Sequence, residues 1–194
     1  MAVLDGNSNI FSQFNCITPS RMCRCSLSGV TAVKLADKVN SPVIISGSYD
    51  CRVRVWNAVH GICLAVLQGH KDLVRSLAVS SASRVVSGDF GGFLKVWDLI
   101  EVVRASTSHM ENYVKEVDKY EERKKVEEFG KVGKPTRTKI GMHAPQYEPL
   151  CFIHHRSLFT HRGHVTDLII TDTAIVSGSR EKNIVKQDFG NINY

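Results

Sequence analysis

The stretch Ser46-Gly47-Ser48-Tyr49-Asp50-Cys51-Arg52-Val53-Arg54-Val55-Trp56 recurs as Ser87-Gly88-Asp89-Phe90-Gly91-Gly92-Phe93-Leu94-Lys95-Val96-Trp97. A fainter third copy reads Ser177-Gly178-Ser179-Arg180-Glu181-Lys182-Asn183-Ile184-Val185-Lys186-Gln187. The first two copies stand apart by roughly the 40–45 residues that characterise repeats built from one small antiparallel sheet. Such a sheet cannot bury its faces alone, and stacking it against neighbouring copies covers them. The repeat therefore decides the fold class.

Around each copy the alternation of apolar residues marks further strands. In the first block these are Val30-Thr31-Ala32-Val33, then Val43-Ile44-Ile45-Ser46, then residues 52–56, then residues 62–67, with Ser48-Tyr49-Asp50 as a tight turn between the second and third. The second block repeats the order with Val74-Arg75-Ser76-Leu77, Arg84-Val85-Val86-Ser87 and residues 93–97, and its fourth strand is late. A third, degenerate block spans residues 151–194, where His161 precedes Val165 by the step that separates His70 from Val74.

Between the second and third blocks lies an insertion, residues 99–150. Ser108-His109-Met110-Glu111 is a capping-box signature, and the following residues to about Phe129 carry pairs such as Glu111/Lys115 and Glu121/Lys125 at helical spacing. The apolar stripe of Val114, Val117, Tyr120, Val126 and Phe129 is thin, so a charged, projecting helix is expected, ended by Gly130 and Pro135.

With 43% hydrophobic residues in 194, the chain has material for a packed core. No leader-like apolar run and no membrane span is legible, which places the chain inside the cell, in cytoplasm or nucleus, away from membranes, with its six cysteines reduced. Cys23-Arg24-Cys25 lacks the second pair that a metal site needs. The net charge of +6 is only partly concentrated, in residues 131–139, and without interleaved aromatics it argues for a solvated linker and against nucleic acid.

The repeats resemble the WD40 family of β-propellers, most clearly where Gly69-His70 is followed by Trp97-Asp98. The resemblance implies an all-β fold, a partial propeller of about three four-stranded blades, residues 30–98 being repeats 1 and 2. In that family a His, a Ser or Thr, an Asp and the Trp brace each blade. The matching residues here are Ser46, Asp50 and Trp56 in the first blade, His70, Ser87 and Trp97 in the second, and His161 and Ser177 in the third. No set is complete: the first blade lacks its His, Gly91 stands where the second should have its turn Asp, and the third has Glu181 and Gln187 for Asp and Trp. Val185-Lys186, where the second blade has Lys95-Val96, turns a lysine toward the packed side unless the strand slips by one residue. Closed propellers use about four to eight blades. Residues 1–29 read as an outer closing strand, and the opening residues as a substitute start on a truncated chain.

No nucleophile elbow, phosphate-cradling loop or HExxH motif is present, so no catalytic residues and no cofactor are assigned. Cys151-x-x-His154 and His161-x-x-His164 carry zinc-ligand types with His143 and His155 nearby, but only six residues separate the halves, against ~12–15 in a zinc finger, and no metal is assigned. The phrases at residues 46–49, 74–75, 85–88 and 177–180 resemble the propellers of F-box/WD-repeat proteins, substrate receptors of ubiquitin ligases that bind phosphorylated peptides on their top face. That resemblance implies Tyr49, Arg75, Phe90 and Arg180 as the partner-binding residues and a protein or phosphopeptide as the partner, within a multi-protein complex such as a ubiquitin ligase. No F-box is recognisable, so the chain alone is not expected to recruit a ligase adaptor. An assembly scaffold acting through its inserted helix, and a truncated product without independent activity, are the other readings.

Overall fold

Each repeat folds as a meander because its apolar residues alternate between two sheet faces, both of them covered in the middle blade. The computed structural model describes residues 28–37, 42–59, 61–81, 83–129, 145–154 and 157–189. Most of the N-terminal segment, Cys23 and Cys25, the basic residues 131–139, and His143 and His155 lie outside the described residues.

Among the described residues the strands are β1 (Val30–Ala36), β2 (Val43–Ser48), β3 (Val53–Asn57), β4 (Cys63–Gln68), β5 (Val74–Val79), β6 (Arg84–Asp89), β7 (Phe93–Asp98), β8 (Leu150–Ile153), β9 (Leu158–Phe159), β10 (Val165–Ile170), β11 (Ala174–Ser179) and β12 (Ile184–Asp188), with one helix, α1 (Leu99–Phe129), between β7 and β8. They form three sheets, ordered β1-β2-β3-β4-β8, β5-β6-β7-β9 and β10-β11-β12. This is an all-β partial propeller carrying one helical insertion.

Register is the same in all three sheets: Ser46 pairs with Arg54, Ser87 with Lys95 and Ser177 with Val185. The third blade's strand therefore does not slip. Nor does Lys186 meet a packed side, because that face of β12 is open and the lysine reaches Asp188 at 3.1 Å in solvent. Each innermost strand also carries a bulge at its first turn, between Val30 and Ala32, Val74 and Ser76, and Val165 and Asp167. Bulges of this kind re-aim a side chain at the end of a sheet.

The insertion departs most from the sequence reading. The helix begins at Leu99, nine residues before the capping box at Ser108, because Asp98 is its N-cap: Ile100 N–H and Glu101 N–H donate to Asp98 Oδ1 at 2.9 and 3.1 Å. Leu99, Val102 and Val103 then enter the core beside Leu64, Val85 and Trp97. Only the later turns carry a mostly exposed charged surface. The returning chain is held to the helix by His109, which bonds the Glu148 carbonyl at 2.8 Å, and by Tyr147, whose ring lies against His109 and Tyr113.

From there Leu150–Ile153 joins the outer edge of the first sheet, parallel to β4, and Leu158–Phe159 supplies the fourth strand of the second. Strand-like composition at Cys151 thus serves the first blade, and the strands of the third sheet begin at Val165. Two apolar clusters hold the sheets together. One, with Ile45, Val53, Leu77 and Val85, fills the first junction. The other, with Val86, Leu94, Val96, Leu168 and Ile175, fills the second.

Candidate partner-binding rim

The second blade is braced by a continuous chain of buried hydrogen bonds. Trp97 Nε1–H donates to Ser87 Oγ at 2.9 Å, Ser87 Oγ lies 2.6 Å from His70 Nε2, and His70 Nδ1 lies 2.8 Å from Asp89 Oδ2. Indole can only donate and a carboxylate can only accept. His70 Nδ1–H therefore donates to Asp89, and on a neutral ring Nε2 accepts from the serine hydroxyl. Asp89 also accepts from Phe93 N–H at 2.9 Å. The expectation that this blade lacks its acid is corrected here, because Asp89, two residues before Gly91, reaches the histidine from the end of β6 and not from the turn.

The first blade keeps the Trp56-to-Ser46 bond at 2.8 Å and uses Asp50 differently. With no histidine to meet, the carboxylate takes a two-pronged contact from buried Arg54, at 2.6 and 3.2 Å, and accepts from Arg52 N–H. Burial pushes the Asp50 carboxyl up, but hydrogen bonding and charge from Arg54 outweigh it and hold the group below its ordinary value. A depressed carboxylate adds stability above the unfolded value, near 4, and loses it as pH falls through the folded one. Arg54→Met removes the two largest effects that hold the carboxyl down, leaving only Ser48 and Arg52 against burial. At neutral pH the variant should be less stable by about 2–3 kcal/mol. The gap between the two proteins should close toward pH 3, as read by urea unfolding at both pH values.

In the third blade His161 Nε2 lies 2.8 Å from Ser177 Oγ. Glu181 does not take the acid's place: its side chain is exposed and rests against Gly163. Gln187, in the tryptophan's position, leaves Oε1 buried with no partner among the described residues. A buried orphan acceptor costs about 1–3 kcal/mol. Gln187→Leu should raise the denaturation midpoint, equivalent to about 1 kcal/mol.

These braces fix one end of the sheets. At the fourth position of each repeat Tyr49, Phe90 and Arg180 donate their backbone N–H to the carbonyls of Gly29, Leu73 and His164, the residues just before the innermost strands. Two positions later the turns reach positive φ at Cys51, Gly92 and Lys182. Arg75 occupies the bulge of β5, at the position of Thr31 and Thr166 in the other two blades, and its side chain is exposed. Exposed Tyr49, Phe90 and Arg180 share that end of the fold. Phe90 lies edge-on to His164, whose carbonyl takes the Arg180 N–H. The contact runs from Arg180 through His164 and Phe90 to the Leu73-Val74-Arg75 segment.

Besides Asp89, sequence reasoning missed three participants. In the sequence His164 reads only as a metal-ligand type, yet in the structure it joins two rim residues. Arg54 was hidden because its role exists only where the histidine is missing. Lys95, at the equivalent position, is buried and donates from Nζ to the His154 carbonyl at 2.7 Å. Desolvation lowers its pKa, with the Asp89 charge opposing. Among the described residues no three His, Cys, Asp or Glu side chains are grouped to hold a metal ion. No described helix is long and apolar enough to cross a membrane.

Comparison with known proteins adds to this geometry. The family model described as WD domain, G-beta repeat, matches residues 17–57 and 61–98. The chain is 29% identical over 145 residues to mitochondrial division protein 1 of Aspergillus niger, covering 75% of this chain and 20% of that protein. It is 37% identical over 73 residues to small ribosomal subunit protein RACK1y of Oryza sativa subsp. japonica, 37% of this chain and 22% of that one. Over 58 residues it is 47% identical to cell division control protein 4 of Candida albicans, 29% of this chain and 8% of that one. The chain thus spans about a fifth or less of these relatives. Among solved structures the computationally designed Ika8 protein is similar in fold, with a TM-score of 0.50 and 23% identity over 84% of this chain and 34% of its own. Repeat, register, bracing hydrogen bonds and family model agree: residues 17–57 and 61–98 carry WD40 repeats, and the described residues form an all-β, partial propeller scaffold.

Proposed function

We propose that this chain is a non-enzymatic protein-interaction module whose rim at the β2–β3, β6–β7 and β11–β12 turns binds a phosphorylated peptide, in the manner of the propellers of F-box/WD substrate receptors. WD-repeat proteins are generally protein-interaction scaffolds, and the observation that carries the finer reading is the rim's chemistry. Arg75 and Arg180 are exposed at the same end of adjacent blades, with Phe90 and His164 between them. A guanidinium offers a planar fork of donors matched to phosphate oxygens, while Tyr49 and Phe90 supply apolar area with few rotatable bonds.

Both arginines lie outside the bracing network, so Arg75→Ala and Arg180→Ala should leave folding intact. Binding of a degenerate phosphothreonine/phosphoserine peptide pool, followed by fluorescence anisotropy, should weaken about tenfold for each lost charge-assisted contact. The unphosphorylated pool should bind poorly to the parent protein. Equal affinity for both pools, or an affinity that the double variant leaves unchanged, would sink the proposal.

A further inference from the structure

Both internal junctions between blades use the same knob and hole. The valine that opens an innermost strand packs onto the glycine at the second position of the preceding blade's repeat. A Cβ placed on Gly47 would come within 2.7 Å of Val74 Cγ1, and one on Gly88 within 2.7 Å of Val165 Cγ1. Val74 and Val165 are fully buried. The third hole, at Gly178, is open: among the described residues a Cβ there would meet only Thr166 Oγ1, at 3.7 Å. The third knob, Val30, has no matching hole among the described residues and is 41% exposed.

The surfaces around them repeat the pattern. Leu77 of the second blade and Leu168 of the third are buried against the blade before, whereas Val33, at the same position in the first, is exposed, and Leu35 beyond it is 63% exposed. On the opposite side, Ala78, Val86, Leu94 and Val96 of the second blade are buried against the third. Their counterparts on the third blade are Ile169, 60% exposed, Val176, Ile184, 78% exposed, and exposed Lys186. Among the described residues one side of the fold thus presents an unfilled hole with an apolar surround, and the other presents the knob and apolar patch that fit such a hole.

We infer that these two faces dock on each other between copies, so that two chains associate head to tail, with Val30 of each seated on Gly178 of the other. The occupant follows from repetition, since the chain already makes this junction twice within itself. A head-to-tail contact closes a ring when its rotation allows and otherwise grows without limit. Two copies of three blades give six, inside the range of about four to eight that propellers use. This assembly does not depend on the phosphopeptide reading of the rim, which lies at the strand ends and not on these faces.

Light scattering coupled to size exclusion on the purified chain tests it. The expected mass is twice the 21.6 kDa of one chain. Gly178→Val fills the hole where the single chain has room for it, so the variant should keep its circular dichroism spectrum and thermal transition and elute at half the parent's mass. Leu35→Lys, on the other face, should do the same. Mixing the two variants should restore a species of double mass, because one intact face of each remains. A parent protein that is monomeric at high concentration would overturn the inference. So would filaments, or an oligomer that neither substitution dissociates.

Discussion

Asp89→Ala is expected to destabilise the protein by about 3–5 kcal/mol, because it strips the acceptor from two buried donors at about 1–3 kcal/mol each and removes the charge that faces Lys95. The carboxylate is almost fully buried, takes His70 Nδ1–H and Phe93 N–H, and opposes the desolvation of Lys95. Its loss leaves two donors inside the blade without an acceptor. Since folded domains are stable by about 5–15 kcal/mol, this is a large fraction of the whole. The paired control is Gly91→Ala, at the position where the repeat alignment puts the acid. There a Cβ meets Asp89 Oδ1 and Phe93 only at ordinary contact distance, 3.4 and 3.5 Å. That substitution should stay within about 0.5 kcal/mol. Guanidinium unfolding of the two variants separates them, and equal losses would show that the acid's position in the brace had been misassigned.

Gly92→Ala should be nearly as damaging, at about 4 kcal/mol. Gly92 has φ of 85°, where an ordinary side chain costs about 1–2 kcal/mol. A Cβ there would also overlap the His161 carbonyl. That overlap matters because Gly92 O accepts from the backbone N–H of Thr160 and His161, the segment that carries the chain into the third blade. Lys182 holds the same turn position with φ of 67° and an exposed side chain. Lys182→Gly should therefore stabilise by about 0.5–1 kcal/mol. The opposite signs at two equivalent positions, read from thermal midpoints, isolate the junction contact from the turn itself.

The strands were legible because two signals coincide in each repeat: period-two alternation and a polar turn of fixed length. Ser46, Ser87 and Ser177 announce the same register, and the sheets keep it even in the third blade, where Gln187 replaces the tryptophan. The helix start was not legible, since Trp97-Asp98 reads as the end of a repeat while Asp98 also serves as an N-cap. The local capping box at Ser108 competed with it, and only the burial of Leu99, Val102 and Val103 resolves the choice. Asp89 escaped for a related reason. Two acids at different sequence positions can reach one pocket when one extends from a strand end and the other from a turn.

The candidate rim was half visible. Arg75 and Arg180 stand out by repeat position, but their connection through His164 and Phe90 joins residues from different blades, and no local pattern encodes that. By itself the sequence determined the repeat, its strands and turns and the all-β class, because alternation and turn chemistry act within a few residues. Only the tertiary structure decided that Asp89 completes a brace, that β8 and β9 are shared out between two blades, and that Val30 and Gly178 are an unmatched knob and hole. Those outcomes depend on which surfaces meet after stacking, and contacts between distant segments set them.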